Sequence, residues 1–147
     1  MIWALTAAVL LAGLLAWLRS RWLVVTVSGP SMRPTLQPGD RVLVRRRPAR
    51  RVRVGQIVVV AAEPDLAVPQ RVVKRVVAVP GDPVPPGITS VRDELVPPAR
   101  LLLLGDNARE SLDSRRLGYY DAGLMLGVVV RAMSTHPARP GSSGIAS

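Results

Sequence analysis

The sequence predicts a mainly β domain that follows a single N-terminal transmembrane helix. Seventeen residues without a charged side chain, Ile2–Leu18, form one uninterrupted apolar run that predicts the helix. After Trp22 the chain changes to short runs rich in valine and leucine, separated by proline and glycine, which is typical of strands joined by turns. Fourteen prolines and the lack of a 3.6-residue apolar period argue against further long helices.

The apolar run would form a helix about 25 Å long, at the short end of a membrane span. Trp3 lies at one end and Trp17 and Trp22 at the other, as expected for side chains at the two headgroup levels. A cleavable signal peptide is the alternative, but no basic side chain precedes the run and no small-x-small cleavage site follows it. We therefore interpret residues 1–21 as an uncleaved membrane anchor.

Six candidate strands follow the anchor within residues 22–133, which we interpret as one folded domain. They are Leu23–Val27, Arg41–Val44, Gln56–Ala61, Arg71–Val79, Leu101–Leu104 and Met125–Ala132. The segment Glu63–Pro69 is expected to be a loop between the third and fourth. Residues 134–147 have too little apolar content to pack and are expected to form a disordered tail.

Composition excludes several kinds of catalytic chemistry. The chain has no cysteine, and its single histidine, His136, falls in the expected tail. Thiolate chemistry and multi-histidine metal centres are therefore excluded, and no metal, nucleotide or organic cofactor is expected.

The charge is strongly basic, at a formal +10, which suits nucleic acid or an anionic membrane surface. Six of the nine residues in Arg45–Arg53 are arginines. This segment is either a patch for acidic phospholipid or nucleic acid, or a solvated connection between strands. Stacking aromatics, which nucleic-acid surfaces usually add, are absent from it, so we favour the solvated connection and expect no nucleic-acid partner.

Lys74 is the only lysine and lies within the candidate strand Arg71–Val79. Alternation along a strand places it on one face with Val72, Val76 and Ala78, where it is the only polar group. Burial of an ammonium among valines lowers its pKa, so such a lysine can serve as a base. The alternative is an ordinary lysine whose stem lies along apolar surface while its head reaches water.

Two further segments offer hydroxyl groups. Ser31 lies between the turn-forming Gly29-Pro30 and a second proline, Pro34, which favours a rigid exposed loop. The segment Gly105–Arg115 follows an apolar run, contains Ser111, and could form an ion pair between Asp113 and Arg115. Either segment could also be an ordinary surface turn.

Together these three segments resemble the bacterial type I signal peptidases (leader peptidases), which are membrane-bound serine proteases with a serine and a lysine in place of the usual triad. The resemblance runs from about residue 1 to about residue 133, and the motifs occur in the family's order. They are Ser-Met-Arg-Pro-Thr-Leu (31–36) with Gly39-Asp40 following, Lys74-Arg75 with Pro80-Gly81-Asp82 following, and Gly105-Asp106-Asn107 with Ser111, Asp113, Ser114 and Arg115. It implies a mostly antiparallel, partly open β-barrel-like catalytic domain.

The resemblance also implies roles for individual residues. Ser31 would be the nucleophile, Lys74 the general base, and Ser111 the hydroxyl that orients the lysine amine. Asp113, Arg115 and Arg75 would form the polar support. Where some members have a second serine hydroxyl for the oxyanion hole, this chain has Gly29, so we expect backbone donors including the Ser31 amide, as in many Gram-positive enzymes.

Three features depart from the common pattern. Only residues 83–104 separate the second and third boxes, so the large inserted β-domain of some Gram-negative enzymes is absent and a minimal, actinobacterial-like core is expected. Ala108 stands where many relatives have arginine. Arg19 and Arg21 follow the anchor, which by the positive-inside rule argues for a cytoplasmic domain, whereas the family requires an extracytoplasmic one; we side with the family.

The resemblance therefore predicts a single-pass, monomeric enzyme of the cell membrane. It would remove signal peptides from exported preproteins after small residues at the −1 and −3 positions. A dedicated maturation peptidase acting on one partner protein is a close alternative. A non-catalytic, membrane-tethered β-domain that binds anionic lipid or nucleic acid is the alternative from another class.

Overall fold

The computed structural model describes residues 2–61 and 71–133, without the side chains of Ile2 and Ala4. It contains an N-terminal helix and seven strands, with a short second helix before β6. In chain order the elements are α1 (Ile2–Arg21), β1 (Trp22–Thr26), β2 (Arg41–Arg45), β3 (Ile57–Ala61), β4 (Arg71–Ala78), β5 (Arg100–Leu104), α2 (Ser114–Leu117), β6 (Tyr120–Asp121) and β7 (Met125–Met133).

The strands form one half-barrel sheet in the order β1-β2-β7-β3-β4-β5-β6, with every pair antiparallel. The mainly β, antiparallel prediction is confirmed. Each of the six predicted strands is present, and no end differs from its prediction by more than one residue. The predicted loop Glu63–Pro69 and the predicted tail 134–147, with His136, lie outside the described residues.

The central strand β3 is buried on both faces. Val58 and Val60 pack in one apolar cluster with Leu101 and Leu103, whereas Val59 lies on the opposite side in a second cluster with Val42. Since neighbouring side chains of a strand point to opposite faces, the continuous valine run of β3 is what a strand covered on both sides requires. These two clusters support the strands that bear the candidate site.

The N-terminal helix differs from the expectation. It begins at Ile2 and ends at Arg21, so the helical prediction holds. Among the described residues, however, none of the helices combines the length and the apolar character that crossing a membrane needs, and the expectation of a transmembrane span is wrong for this part of the chain. Two arginines in its last turn, Arg19 and Arg21, interrupt the apolar character of the helix.

Two small elements were not expected from the sequence. β6 has only two residues and pairs with β5 at Arg100↔Asp121 and Leu101↔Tyr120. α2 has four residues and begins where the Asp113 side chain accepts a hydrogen bond from the Arg115 amide. A helix of this length has no apolar period to detect, and its N-cap is the only sequence signal for it.

Candidate active site

Ser31 lies in a 3-10 turn, Pro30–Met32, that the core holds in place. Met32 is fully buried, and the Leu36 amide donates to the Met32 carbonyl at 2.9 Å. The turn is tied to the third motif because the Asn107 amide donates to the Ser31 carbonyl at 2.9 Å. The serine is therefore held at a partly exposed position on an ordered turn rather than on a free loop.

Lys74 is buried within β4, with 3% of its surface exposed. It lies on one face of the strand with Val76 and Ala78, as the strand alternation predicts. The residue that pairs with it on the neighbouring strand β3 is Val58. Burial lowers the pKa of Lys74; the nearby Asp113 carboxylate opposes this shift and the Arg115 guanidinium adds to it. The alternative of a lysine head in open water does not hold here, and the neutral amine is favoured relative to a free lysine.

A chain of hydrogen bonds leads inward from the lysine. Lys74 Nζ donates to Ser111 Oγ at 2.9 Å, and Ser111 Oγ donates to Asp113 Oδ2 at 2.5 Å. Because a serine hydroxyl has one proton and uses it on Asp113, Ser111 can only accept from Lys74. The lysine must therefore direct a proton toward Ser111, which fixes where the rest of the amine points.

Asp113 is the centre of this support, and its side chain is fully buried. Although burial by itself raises the pKa of Asp113, hydrogen bonds from Arg115, Ser111 and the Gly105 amide lower it to about 2. Arg115 contacts both carboxylate oxygens, through Nε at 3.0 Å and Nη2 at 2.7 Å. The ion pair expected from the sequence is thus formed, and it keeps a negative charge fixed beneath the lysine–serine contact.

The free energy of unfolding at acid pH should depend on the charge of the Asp113 carboxylate. A pKa lowered from 3.8 to about 2 contributes stability that is present above about pH 4 and is lost as the pH falls toward 2. We expect Asp113→Asn to lower the free energy of unfolding by about 2 kcal/mol at pH 6 and by much less at pH 2.5.

Urea midpoints at the two pH values provide the measurement. Glu94→Gln, which changes an exposed carboxylate of equal charge, is the control and should give no such difference. An Asp113→Asn effect of equal size at both pH values would contradict the assignment.

Arg75 points away from Lys74 and forms a second set of polar contacts, separate from the Lys74–Ser111–Asp113 hydrogen bonds. It binds the Asp106 carboxylate through two hydrogen bonds of 2.8 and 2.7 Å and donates to the Gly55 carbonyl. Thr35 Oγ donates to the same carboxylate at 2.5 Å. This hydrogen bonding lowers the pKa of Asp106, chiefly through Arg75. One carboxylate therefore links the Ser31 segment, β4 and the third motif.

The sequence motifs included Asp106 and Thr35, but sequence reasoning gave neither a role. The sequence signal for such a role was Arg75. Strand alternation places it on the face of β4 opposite to Lys74, where its charge needs a separate carboxylate partner. Asn107 is a further residue of this kind, since its side-chain amide donates to the Pro30 carbonyl at 3.3 Å.

A groove of about 160 Å³ contains both Ser31 and Lys74 in its lining. Most of its other lining comes from the segment before Ser31 and from the start of β4, in the form of Val27, Ser28, Gly29, Pro30, Arg71, Val72 and Val73, with Glu110 and Leu112 closing it. Gly29 has an extended backbone, and an added Cβ would meet nothing within 4 Å. The three motifs, separated by up to 80 residues, therefore meet at one groove.

Comparison with known proteins gives the family of this chain. The sequence profile of the family described as "Signal peptidase, peptidase S26" matches residues 1–86, a stretch that contains Ser31 and Lys74. The chain is 37% identical over 119 residues to mitochondrial inner membrane protease subunit 1 of Schizosaccharomyces pombe, which covers 78% of this chain and 74% of that protein.

Two further relatives have similar names. Mitochondrial ATP-independent inner membrane protease subunit 1b of Arabidopsis thaliana is 34% identical over 111 residues, covering 69% of this chain and 64% of that protein. Mitochondrial inner membrane protease subunit 1 of Mus musculus is 34% identical over 110 residues, covering 71% and 64%. The resemblance deduced from the three motifs is confirmed, and the chain belongs to the peptidase S26 signal peptidase family.

Proposed function

We propose that this chain is a membrane-associated serine endopeptidase that processes a restricted set of preproteins, with Ser31 as the nucleophile and Lys74 as the general base. Family membership supports a peptidase. The observation that carries the finer proposal is the burial of the only lysine beside the groove that also contains Ser31, with its amine oriented by Ser111. A buried amine of lowered pKa can take a serine proton without a histidine.

The chemistry proceeds in two stages. Lys74 accepts the Ser31 hydroxyl proton as Ser31 Oγ bonds to the carbonyl carbon of the substrate. The same proton then passes to the departing amine, so that the peptide bond breaks and an acyl-enzyme forms. Water then gives a proton to Lys74 as it attacks the acyl carbon; the ester bond to Ser31 Oγ breaks, and Lys74 returns the proton to Ser31 Oγ. Backbone amides at the Pro30–Met32 turn are the expected donors to the oxyanion.

The groove supports a preference for small side chains. Its apolar lining includes Val27, Gly29 and Pro30 from the segment before Ser31 and Val72 from β4, with about 160 Å³ available. A shallow apolar space of this kind accepts alanine and excludes larger side chains by steric conflict. We therefore propose cleavage after small residues at −1 and −3, with the substrate extended along the groove.

The relatives favour the processing alternative over a general signal peptidase. All three are named as inner membrane proteases, and they are named as subunit 1 or 1b. By analogy we propose a dedicated processing role and a partner subunit in place of the monomer that the sequence suggested. The non-catalytic β-domain is disfavoured by family membership.

The N-terminal helix supports membrane association. Its large apolar side chains are exposed around the helix, among them Trp3 at 87%, Leu10 at 74% and Val9 at 70%. An apolar surface of this extent marks contact with a membrane or another protein. We propose that α1 holds the catalytic domain at a membrane, as the names of the relatives suggest.

Cleavage of a preprotein with alanine at −1 and −3 by the full-length protein in detergent tests the proposal. We expect Ser31→Ala to lower the rate by at least about 10³-fold because it removes the nucleophile. Ser20→Ala is the matched control, since this serine is exposed on α1, and it should cleave at the original rate. A Ser31→Ala protein that cleaves the same bond as fast as the control would overturn the assignment.

A further inference from the structure

We propose that a pocket lined by four arginines, between β2 and β3, binds the phosphate group of an anionic phospholipid. The pocket has a volume of about 500 Å³. Its lining residues are Arg47, Arg50, Arg51, Val52, Arg53 and Gln56. These residues are separate from the groove that contains Ser31 and Lys74, and the proposal does not depend on the proposed peptidase chemistry.

The arginines are presented by an ordered segment. A 3-10 turn, Ala49–Arg51, is closed by a hydrogen bond from the Val52 amide to the Ala49 carbonyl at 3.0 Å. The Val52 side chain is buried in the core cluster that contains Val58. Gln56 closes the next turn because its Oε1 accepts from the Arg53 amide at 3.0 Å. A buried valine and two closed turns thus hold the backbone that carries the cations.

The pocket charges have no carboxylate partner among the described residues. The three ion pairs of the described residues are formed by arginines outside the pocket, namely Arg75, Arg100 and Arg115. Four guanidinium groups around one cavity repel one another, and an anion in the cavity removes that repulsion. Phosphate fits best, since guanidinium groups bind its oxygens through paired hydrogen bonds.

The surroundings of the pocket favour a lipid as the source of the phosphate. The basic segment begins beside the end of α1, where the Arg46 amide donates to the Arg21 carbonyl at 2.9 Å. The Arg45 guanidinium lies 5.9 Å from the Trp22 ring centre, and Arg21 lies 4.7 Å from that of Trp17. Arginine and tryptophan beside an apolar helix are typical of the headgroup region of a membrane.

A neighbouring cavity adds an apolar surface. Arg50 also lines a cavity of about 320 Å³, whose other walls include Ala49, Leu101 and Ala122. A charged pocket that adjoins an apolar one suits an amphiphile better than a free phosphate. Nucleic acid is disfavoured because no aromatic side chain for base stacking lines the arginine pocket.

Vesicle binding by the full-length protein tests the proposal without any substrate. Vesicles of phosphatidylcholine with and without phosphatidylglycerol are compared by flotation. We expect Arg50→Gln/Arg51→Gln to bind the anionic vesicles about thirtyfold more weakly, at about fivefold per arginine, and to bind neutral vesicles unchanged.

Arg92→Gln/Arg116→Gln is the matched control, because it removes the same charge from exposed positions outside the pocket. It should change the affinity for anionic vesicles by less than about threefold. Equal weakening in both double variants would show a net-charge effect and overturn the pocket, as would unchanged binding by Arg50→Gln/Arg51→Gln.

Two additional arms distinguish the source of the phosphate. Inorganic phosphate at constant ionic strength should fail to displace the protein from anionic vesicles at millimolar concentration; displacement would point to a site for free phosphate and overturn the lipid proposal. A single-stranded oligonucleotide that binds the original chain, and loses binding in Arg50→Gln/Arg51→Gln while vesicle binding is retained, would assign the pocket to nucleic acid instead.

Discussion

Replacing Lys74 by methionine is expected to abolish cleavage and to leave the fold at least as stable as it was. The variant removes the proposed base, so the rate should fall by about 10³-fold or more. Methionine has a similar length and no charge, and this position is 3% exposed among valines. Removing an amine that burial disfavours in its charged form should therefore maintain or raise the unfolding temperature.

Arg131→Met is the matched control, since it changes an exposed cation on β7 to the same side chain. Activity and thermal unfolding are measured on all three proteins. A Lys74→Met protein that cleaves at the rate of the control would remove lysine as the base. A variant that is inactive because it has unfolded would show a lowered unfolding temperature and would contradict the stability part.

The pH dependence of the original chain supplies a second readout of Lys74. The base must be neutral, so the rate should rise with pH through an apparent pKa below 10.5, the ordinary value of a lysine. Between that lowered pKa and 10.5 the unfolded chain binds a proton that the folded chain does not, so the stability contributed by this group rises with pH. Lys74→Met should lack this rise in stability.

Gly105→Ala is expected to inactivate the enzyme through a single added methyl group. A Cβ at this position would lie 2.5 Å from the Ser31 carbonyl oxygen and 2.7 Å from Ser111 Cβ. The backbone cannot move aside freely, because the Gly105 amide donates to Asp113 at 2.8 Å and its carbonyl accepts from Arg115 at 3.0 Å. The methyl group must therefore displace Ser31, Ser111 or both.

We expect a rate lowered by about 10²-fold or more and a free energy of unfolding lowered by about 1–3 kcal/mol. Gly13→Ala on α1 is the control, since an added Cβ there meets nothing within 4 Å; it should leave the rate unchanged and should not lower the free energy of unfolding, because alanine favours a helix more than glycine does. A folded Gly105→Ala protein with full activity would contradict the close approach of these segments.

The strands were largely predictable because the chemistry that specifies them is local. The run Ile57–Ala61 is entirely apolar, and Arg71–Ala78 has a pair of valines on each side of Lys74-Arg75, so both segments favour a strand by their own residue types. β6 was missed because two residues contain no pattern, and its existence depends on β5. The helix α1 was predictable from its charge-free run, but none of the described helices is long and apolar enough to cross a membrane, which corrects the predicted span.

For the candidate site, the sequence by itself determined the family and the residue types, through three motifs whose residues and order are visible in one dimension. Only the tertiary structure decided that Ser111 accepts from Lys74, that Arg75 and Thr35 share Asp106, and that Gly105 has no room for a side chain. The physical reason is the distance along the chain over which each interaction acts. Periodicity and turn chemistry act within a few residues, whereas hydrogen bonds and close packing depend on which distant segments the folded sheet brings together.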